Sequence, residues 1–122
     1  MILVDTSVWI DHLRDGSTDL SALLNNFVVL THPLVIGELA CGNLRNRALV
    51  LKWMKGLPQV TVATDSETLY FIEQHNLMGR GMGYIDCSLL AAVALTPPSK
   101  VWTRDKSLAR ITSALGLAWR PA

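Results

Sequence analysis

Hydrophobic positions recur along this chain with two spacings that alternate from one end to the other. Short runs of apolar and β-branched residues, which are typical of buried strands, occur at Met1–Asp5, Phe27–Thr31, Val60–Ala63 and Lys100–Thr103. A further short run at Leu117–Trp119 predicts an edge strand. The segments between these runs have apolar residues at helical spacing. The pattern therefore predicts alternating strands and helices.

Capping residues, glycines and prolines set the bounds of the predicted helices. Thr6 or Ser7 is expected to cap the first helix, and Asp65 or Ser66 the one that runs through His75. The remaining helices are predicted at Leu20–Leu24, Pro33–Gly42, Arg47–Leu57, Tyr84–Leu95 and Lys106–Leu115. Strands that alternate with helices predict an α/β fold with a central, mostly parallel sheet of four or five strands and helices on both faces.

Length and composition exclude several classes of protein. With 122 residues, half of them hydrophobic, the chain is expected to form one domain over residues 1–122. A net charge of +1 excludes a polybasic or a disordered acidic chain. The two cysteines form no Cys-x-x-Cys pair, which excludes a zinc cluster and suits a reducing cytoplasm. No signal peptide or membrane span is visible, so we expect a soluble, cytoplasmic protein.

Three long apolar stretches each carry a single charged residue. It is an acid in every case: Asp5 within 1–10, Glu38 within 20–44 and Asp86 within 81–99. A carboxylate removed from water is costly unless a positive charge meets it, and these stretches contain no Lys or Arg. A cation shared by the three acids would remove that cost.

The predicted elements bring these acids together with a fourth, Asp105. Asp5 ends the first strand and Asp105 directly follows the fourth, and ligand sites of open α/β sheets gather at such strand ends. Asp86 falls in the first turn of its helix, and Glu38 lies in the middle of another. We therefore expect one cleft that holds the acid quartet, the name used below for Asp5, Glu38, Asp86 and Asp105. The hydroxyls of Thr6, Ser7 and Thr103 stand beside two of these acids.

Carboxylate oxygens are ligands suited to Mg²⁺ or Mn²⁺, ions that commonly act on phosphates. Such ions can activate a water and stabilise a leaving oxygen, which predicts hydrolysis of a phosphodiester. Setting the quartet aside leaves six Asp and Glu against 11 Lys and Arg, so the remaining surface suits a polyanion. Candidate contacts for that polyanion are Arg45, Arg47, Arg80, Arg104 and Lys106.

Each acid also has a simpler interpretation. Asp5 could merely cap the first helix, and Asp86 could be an acid favoured by a helix dipole. Asp105, between Arg104 and Lys106, could lie in an exposed loop. Glu38 has no capping role, although a distant Arg could pair with it. Asp11 is expected to point away from the quartet and to pair with Arg14.

Four motifs, in their order and spacing, resemble the PIN domain and in particular the VapC-type toxin ribonucleases of bacterial and archaeal toxin–antitoxin pairs. The resemblance spans nearly the whole chain. The motifs are VDTSVWID at Val4–Asp11, IGEL at Ile36–Leu39, GYIDCSLLAA at Gly83–Ala92 and WTRD at Trp102–Asp105. One departure is Cys87, where relatives commonly have Ala.

The resemblance implies a role for each matching residue. The family's acids fall on the acid quartet, which would bind Mg²⁺, with Mn²⁺ as a substitute, and cleave RNA. The family's hydroxyl positions fall on Thr6 or Ser7 and on Thr103, which would orient the metal ligands. Relatives are homodimers neutralised by a VapB-type antitoxin whose C-terminal segment lies across the active-site groove, and we expect both partners here.

Other functions remain open at this point. A phosphatase with a strand-end aspartate nucleophile would need a second acid two residues after Asp5, where Ser7 stands. A PIN-like domain that binds RNA or protein without cleaving it would not need the complete acid set. A nuclease that acts on DNA is a further alternative, because nothing in the sequence reads a 2′-hydroxyl.

Overall fold

The computed structural model describes residues 1–122 and alternates three short strands with seven helices. The strands are β1 (Ile2–Val4), β2 (Val29–Leu30) and β3 (Lys100–Trp102). The helices are α1 (Thr6–Asp15), α2 (Thr18–Asn25), α3 (Pro33–Ala40), α4 (Arg47–Lys55), α5 (Asp65–His75), α6 (Tyr84–Ala94) and α7 (Lys106–Ala114). The α/β class predicted from the sequence is confirmed.

The sheet is entirely parallel, with β1 between β2 and β3. Leu3 of β1 is in register with Leu30 on one side and with Val101 on the other. All three residues of β1 are buried, although successive side chains point to opposite faces. Both faces of the central strand are therefore covered, as expected for a parallel sheet.

The predicted four or five strands are wrong, because the sheet has only three. Gln59 forms one isolated bridge with Thr31, and the N–H of Val60 donates to the Thr31 carbonyl at 3.0 Å. The chain then leaves the sheet, since the next N–H, that of Thr61, donates to the Thr96 hydroxyl at 3.0 Å. Ala118 likewise forms a single bridge, with Val101. Each segment is extended but pairs at one position, which is too short for a strand.

Two helix caps differ from the sequence prediction. Helix α1 has Asp5 at its N-cap position, one residue before the predicted Thr6 and two before the predicted Ser7. Helix α5 is capped by Thr64, whose side chain accepts from the Glu67 N–H while the Glu67 carboxylate accepts from the Thr64 N–H. This reciprocal capping box satisfies two otherwise unpaired N–H groups, which favours Thr64 over Asp65 or Ser66.

A single cluster of 22 buried residues forms the core. The middle of α6, from Cys87 to Val93, is buried throughout, and the Cys87 thiol fits among its apolar neighbours. Helix α6 packs on β3, and α1 packs on α3. These contacts bring the starts of α1, α6 and α7 and the middle of α3 toward one end of the sheet. No helix has the length and apolar character needed to cross a membrane.

Candidate metal centre

Asp5 joins the carboxyl ends of β1 and β3. Its Oδ2 atom accepts hydrogen bonds from the Ser7 hydroxyl at 2.8 Å and the Thr103 hydroxyl at 2.7 Å. Although Asp5 stands at the N-cap of α1, its side chain makes no capping hydrogen bond. The simple capping interpretation therefore does not describe this carboxylate, which is 6% exposed and directed to the strand end.

The two hydroxyls that hold Asp5 are themselves held by the backbone. Ser7 Oγ accepts from the N–H of Arg104, and Thr103 Oγ1 accepts from the N–H of Asp105, each at 3.0 Å. Each hydroxyl can then donate its single proton to Asp5. The segment after β3 thus fixes the orientation of the Asp5 carboxylate.

Glu38 is supported from α1 in a separate contact. Thr6 Oγ1 donates to Glu38 Oε1 at 2.7 Å and so links α1 to the middle of α3. The sequence left open whether Thr6 or Ser7 supports the acids. In the structure each of them does, Ser7 for Asp5 and Thr6 for Glu38.

Asp105 is the N-cap of α7, and its Oδ1 accepts from the Leu108 N–H at 2.9 Å. It is therefore a structured cap rather than part of an irregular loop. Neither neighbour in sequence, Arg104 or Lys106, forms an ion pair with it. Its second carboxylate oxygen has no protein partner.

Asp86, the third residue of α6, shows that the four acids share one region. The pKa of its half-buried carboxyl is raised to about 6, first by loss of solvation and then by the negative charges of Asp5, Asp105 and Glu38. Only the N–H of Gly83, at the start of the helix, acts in the opposite direction. The structure thus brings the whole acid quartet within electrostatic reach of Asp86.

Within this quartet, burial is less general than the sequence predicted. Asp5 is buried and Asp86 half-buried, whereas Glu38 and Asp105 are exposed. Glu38 lies within α3 and Asp105 at the N-cap of α7, and both side chains are in contact with solvent. The cost that a cation would offset is therefore mutual repulsion as well as loss of solvation.

No Lys or Arg pairs with the quartet. The ion pairs of the protein join Arg14 to Asp11 and Asp15, and Arg104 to Asp11. Asp5, Glu38 and Asp105 each use one carboxylate oxygen for the bonds described above and leave the other without a protein partner. A set of free, hard oxygen donors suits a divalent cation. No three such side chains already surround a common point as metal ligands, so a cation would have to draw these like-charged groups together.

Two features of the site were not predicted from the sequence. Asp11 pairs with Arg14 as expected, but it also pairs with Arg104, which lies 93 positions away. A groove of about 600 Å³ also opens beside Glu38, between α1, α3 and α4. Its lining is mostly apolar and includes Ile10, Leu13, Leu39, Leu44, Arg45 and Val50.

Comparisons with known proteins found one family model and two relatives that match most of this chain. The family model of the PIN domain matches residues 2–113. Two relatives named Ribonuclease VapC32, from the CDC 1551 / Oshkosh and ATCC 25618 / H37Rv strains of Mycobacterium tuberculosis, are each 45% identical to this chain over 118 residues. Each alignment covers 97% of the chain and 95% of the relative.

Proposed function

The chain belongs to the PIN-domain family, and from that premise we propose that it is a metal-dependent endoribonuclease, the toxin of a VapBC-type toxin–antitoxin pair. The observation that carries this proposal is the acid quartet at the carboxyl end of the sheet, which has no cationic partner in the chain. A relative named as a ribonuclease that aligns over 97% of the chain supports RNA as the substrate.

The proposed metal ligands are Asp5, Glu38, Asp86 and Asp105, with Mg²⁺ as the ion and Mn²⁺ able to replace it. When bound, a divalent cation supplies positive charge opposite the phosphodiester and the leaving oxygen. The oxygens available to it are those that the hydroxyls and helix N–H groups leave free. Thr103 and Ser7 keep Asp5 turned toward the cleft.

Glu38 is the proposed group that positions the attacking water and takes its proton. Thr6 holds Oε1 at 2.7 Å, which leaves Oε2 free to accept a hydrogen bond from a water that the cation would also hold, so Glu38 would contact the metal site through that water. Because Glu38 is exposed on the face of α3, water reaches it directly. Helix α3, which carries Glu38, packs against α1.

The surface around the quartet supports a polyanionic substrate and a peptide partner. Exposed Arg80, Arg104 and Lys106 follow or precede quartet residues in the chain and offer positive charge to RNA. The apolar groove beside Glu38 is the proposed seat of the antitoxin segment. Exposed apolar side chains, Leu69 and Tyr70 on α5 and Leu95 just after α6, support the expected homodimer. RNA as the substrate places the proposed activity in the cytoplasm.

Cleavage of labelled single-stranded and structured RNA by the purified protein tests the proposal. We expect cutting with Mg²⁺ or Mn²⁺, none with chelator, and none by Asp86→Asn purified in the same way. Equal cutting by the two preparations would show that the activity does not depend on Asp86, so it would be assigned to a contaminant and not to the proposed site. Cutting of DNA but not of RNA would show that DNA is the substrate. Metal-dependent RNA binding without cutting by any preparation would favour a PIN-like domain that binds RNA without cleaving it.

A further inference from the structure

Arg104 lies between two residues of the proposed site, Thr103 and Asp105, yet its side chain pairs with neither. The backbone N–H of Arg104 donates to Ser7 Oγ at 3.0 Å. Its guanidinium instead donates from Nη1 to Asp11 Oδ2. The carbon of the guanidinium also lies 5.6 Å from the centre of the Trp102 ring. Three contacts thus fix this side chain from its backbone to its charged end.

These contacts place the guanidinium along α1. Ser7 and Asp11 are four residues apart on that helix and so lie on one face, about one turn or 5.4 Å from each other. Arg104 spans that turn, with its backbone at Ser7 and its charge at Asp11. Since Ser7 contacts Asp5, the positive charge lies about one turn of α1 from the hydroxyl that supports Asp5.

Most hydrogen-bond donors of the Arg104 guanidinium have no partner in the protein. Of its five N–H donors, one is engaged by Asp11, and the side chain is 41% exposed. Asp11 is shared with Arg14, so its single negative charge faces two positive ones. The face of Trp102 restricts the guanidinium plane through a cation–π contact. A rigid, partly exposed fork of N–H groups suits a phosphate.

We propose that Arg104 binds a backbone phosphate of the RNA next to the cleaved one, and that Asp11 is the positioning residue that holds the guanidinium there and away from the acid quartet. This inference rests on the proposed ribonuclease function. Without Asp11, the long side chain of Arg104 would be free to turn toward the neighbouring carboxylates and compete with a cation.

The first test measures binding of a labelled single-stranded RNA oligonucleotide to the uncleaving Asp86→Asn protein over a range of salt concentrations. Adding Arg104→Gln should weaken binding about tenfold at low salt, since a charge-assisted hydrogen bond is lost. It should also reduce the slope of log affinity against log salt by about 0.7, the contribution of one contact to a single strand. Arg14→Gln, which removes the other partner of Asp11, is the matched control and should leave the slope unchanged.

Failure of this inference is distinguishable from failure of the proposed function. If the otherwise unaltered protein cuts RNA with metal but Arg104→Gln keeps the full salt slope, the phosphate contact is wrong and the ribonuclease stands. If Arg14→Gln lowers the slope as much as Arg104→Gln, only general charge is involved, and the assignment to Arg104 is also wrong. If no metal-dependent cutting or RNA binding occurs at all, both fall.

The role of Asp11 has its own readout, the affinity for Mn²⁺ by calorimetry. Asp11→Asn should weaken Mn²⁺ binding, because the released Arg104 competes for the quartet. Adding Arg104→Gln to that variant should restore the affinity, whereas a merely structural role of Asp11 would give no rescue. Unchanged Mn²⁺ affinity in Asp11→Asn, or no recovery in the double variant, would overturn the positioning role.

Discussion

Helix α1 begins at one group of acids and ends at another, and the two groups balance their charge in different ways. At its end, Asp11 and Asp15 pair with arginines of the chain, and the pKa of Arg14 is raised by the hydrogen bond and charge of Asp15 and then by Asp11. At its start, Asp5 and the rest of the acid quartet meet only hydroxyls and backbone N–H groups. The first group is complete without a ligand, whereas the second lacks a positive charge.

This difference separates the ion-paired acids from the proposed metal ligands more clearly than burial does. The paired acids and two members of the quartet, Glu38 and Asp105, are all in contact with solvent. Exposed ion pairs contribute little to stability, so the pairs at the end of α1 impose no strong constraint on the fold. In the quartet, loss of solvation and then the like charges raise the pKa of Asp86, which is a cost that a bound cation would offset.

The largest expected effect is the loss of RNA cleavage when one negative charge is removed from the quartet, compared with removal of one from the ion-paired group. Asp5→Asn should reduce RNA cleavage by about 10³-fold or more, because the proposed metal site contributes several kcal/mol of charge stabilisation. The amide keeps an oxygen that can accept from Ser7 and Thr103, so circular dichroism should show an unchanged fold. Asp15→Asn removes an equal charge from α1 and should cut at the normal rate. Equal activity in the two variants would erase the distinction between the groups.

A smaller effect is expected from the hydroxyls that support the quartet. Thr103→Val removes the donor to Asp5 and the acceptor for the Asp105 N–H, while keeping the side-chain volume. Loss of such a supporting partner typically costs 10- to 100-fold in metal affinity or activity, and we expect about that loss in cleavage and in Mn²⁺ binding. Exposed Thr18→Val is the control. If Thr103→Val behaves like the control, the hydroxyl network does not orient the ligands.

A third test uses pH and the metal-free protein. Because the folded pKa of Asp86 is about 6 and its ordinary value is 3.8, this group favours the folded state most below about pH 3.8, and that contribution is lost as pH rises through 6. Position 86 of the Asp86→Asn variant cannot titrate. In the presence of chelator, its free energy of unfolding should therefore rise relative to that of the unsubstituted protein as pH increases from about 5 to about 7.5. Denaturant unfolding at several pH values measures this difference.

Comparing Asp86→Asn with the unsubstituted protein also cancels the effects of two other groups that titrate with a shifted pKa. Burial lowers the pKa of His12 and of His32. The contribution of each histidine to the free energy of unfolding is therefore lost as pH falls. Both histidines are present in the substituted and unsubstituted proteins, so their contributions cancel. A difference that stays constant with pH would show that neither loss of solvation nor the neighbouring negative charges raise the pKa of Asp86.

Much of this arrangement could be predicted because its signals are local. The α/β class followed from short apolar runs that alternate with helical segments, and Asp5, Glu38 and Asp86 were found as the single charged residues of three long apolar stretches. The number of strands did not, since Gln59 and Ala118 lie in extended segments whose pairing stops after one bridge. After Gln59 the N–H of Thr61 donates to the Thr96 hydroxyl, a contact between residues 35 positions apart. The ion pair of Arg104 with Asp11 joins residues 93 positions apart, and no periodicity in the sequence connects them.

The smallest expected effect belongs to the end of α1 that is already balanced. Arg14→Gln breaks the pairs with Asp11 and Asp15 together but leaves Asp11 bound to Arg104. Because these side chains are largely exposed, water replaces the lost partner, and we expect unfolding free energy and Mn²⁺ affinity to match those of the unsubstituted protein. A clear loss of Mn²⁺ affinity would show that the two groups of acids are coupled through Asp11. Unchanged Mn²⁺ affinity would show that the ion pairs of Arg14 do not affect cation binding by the acid quartet.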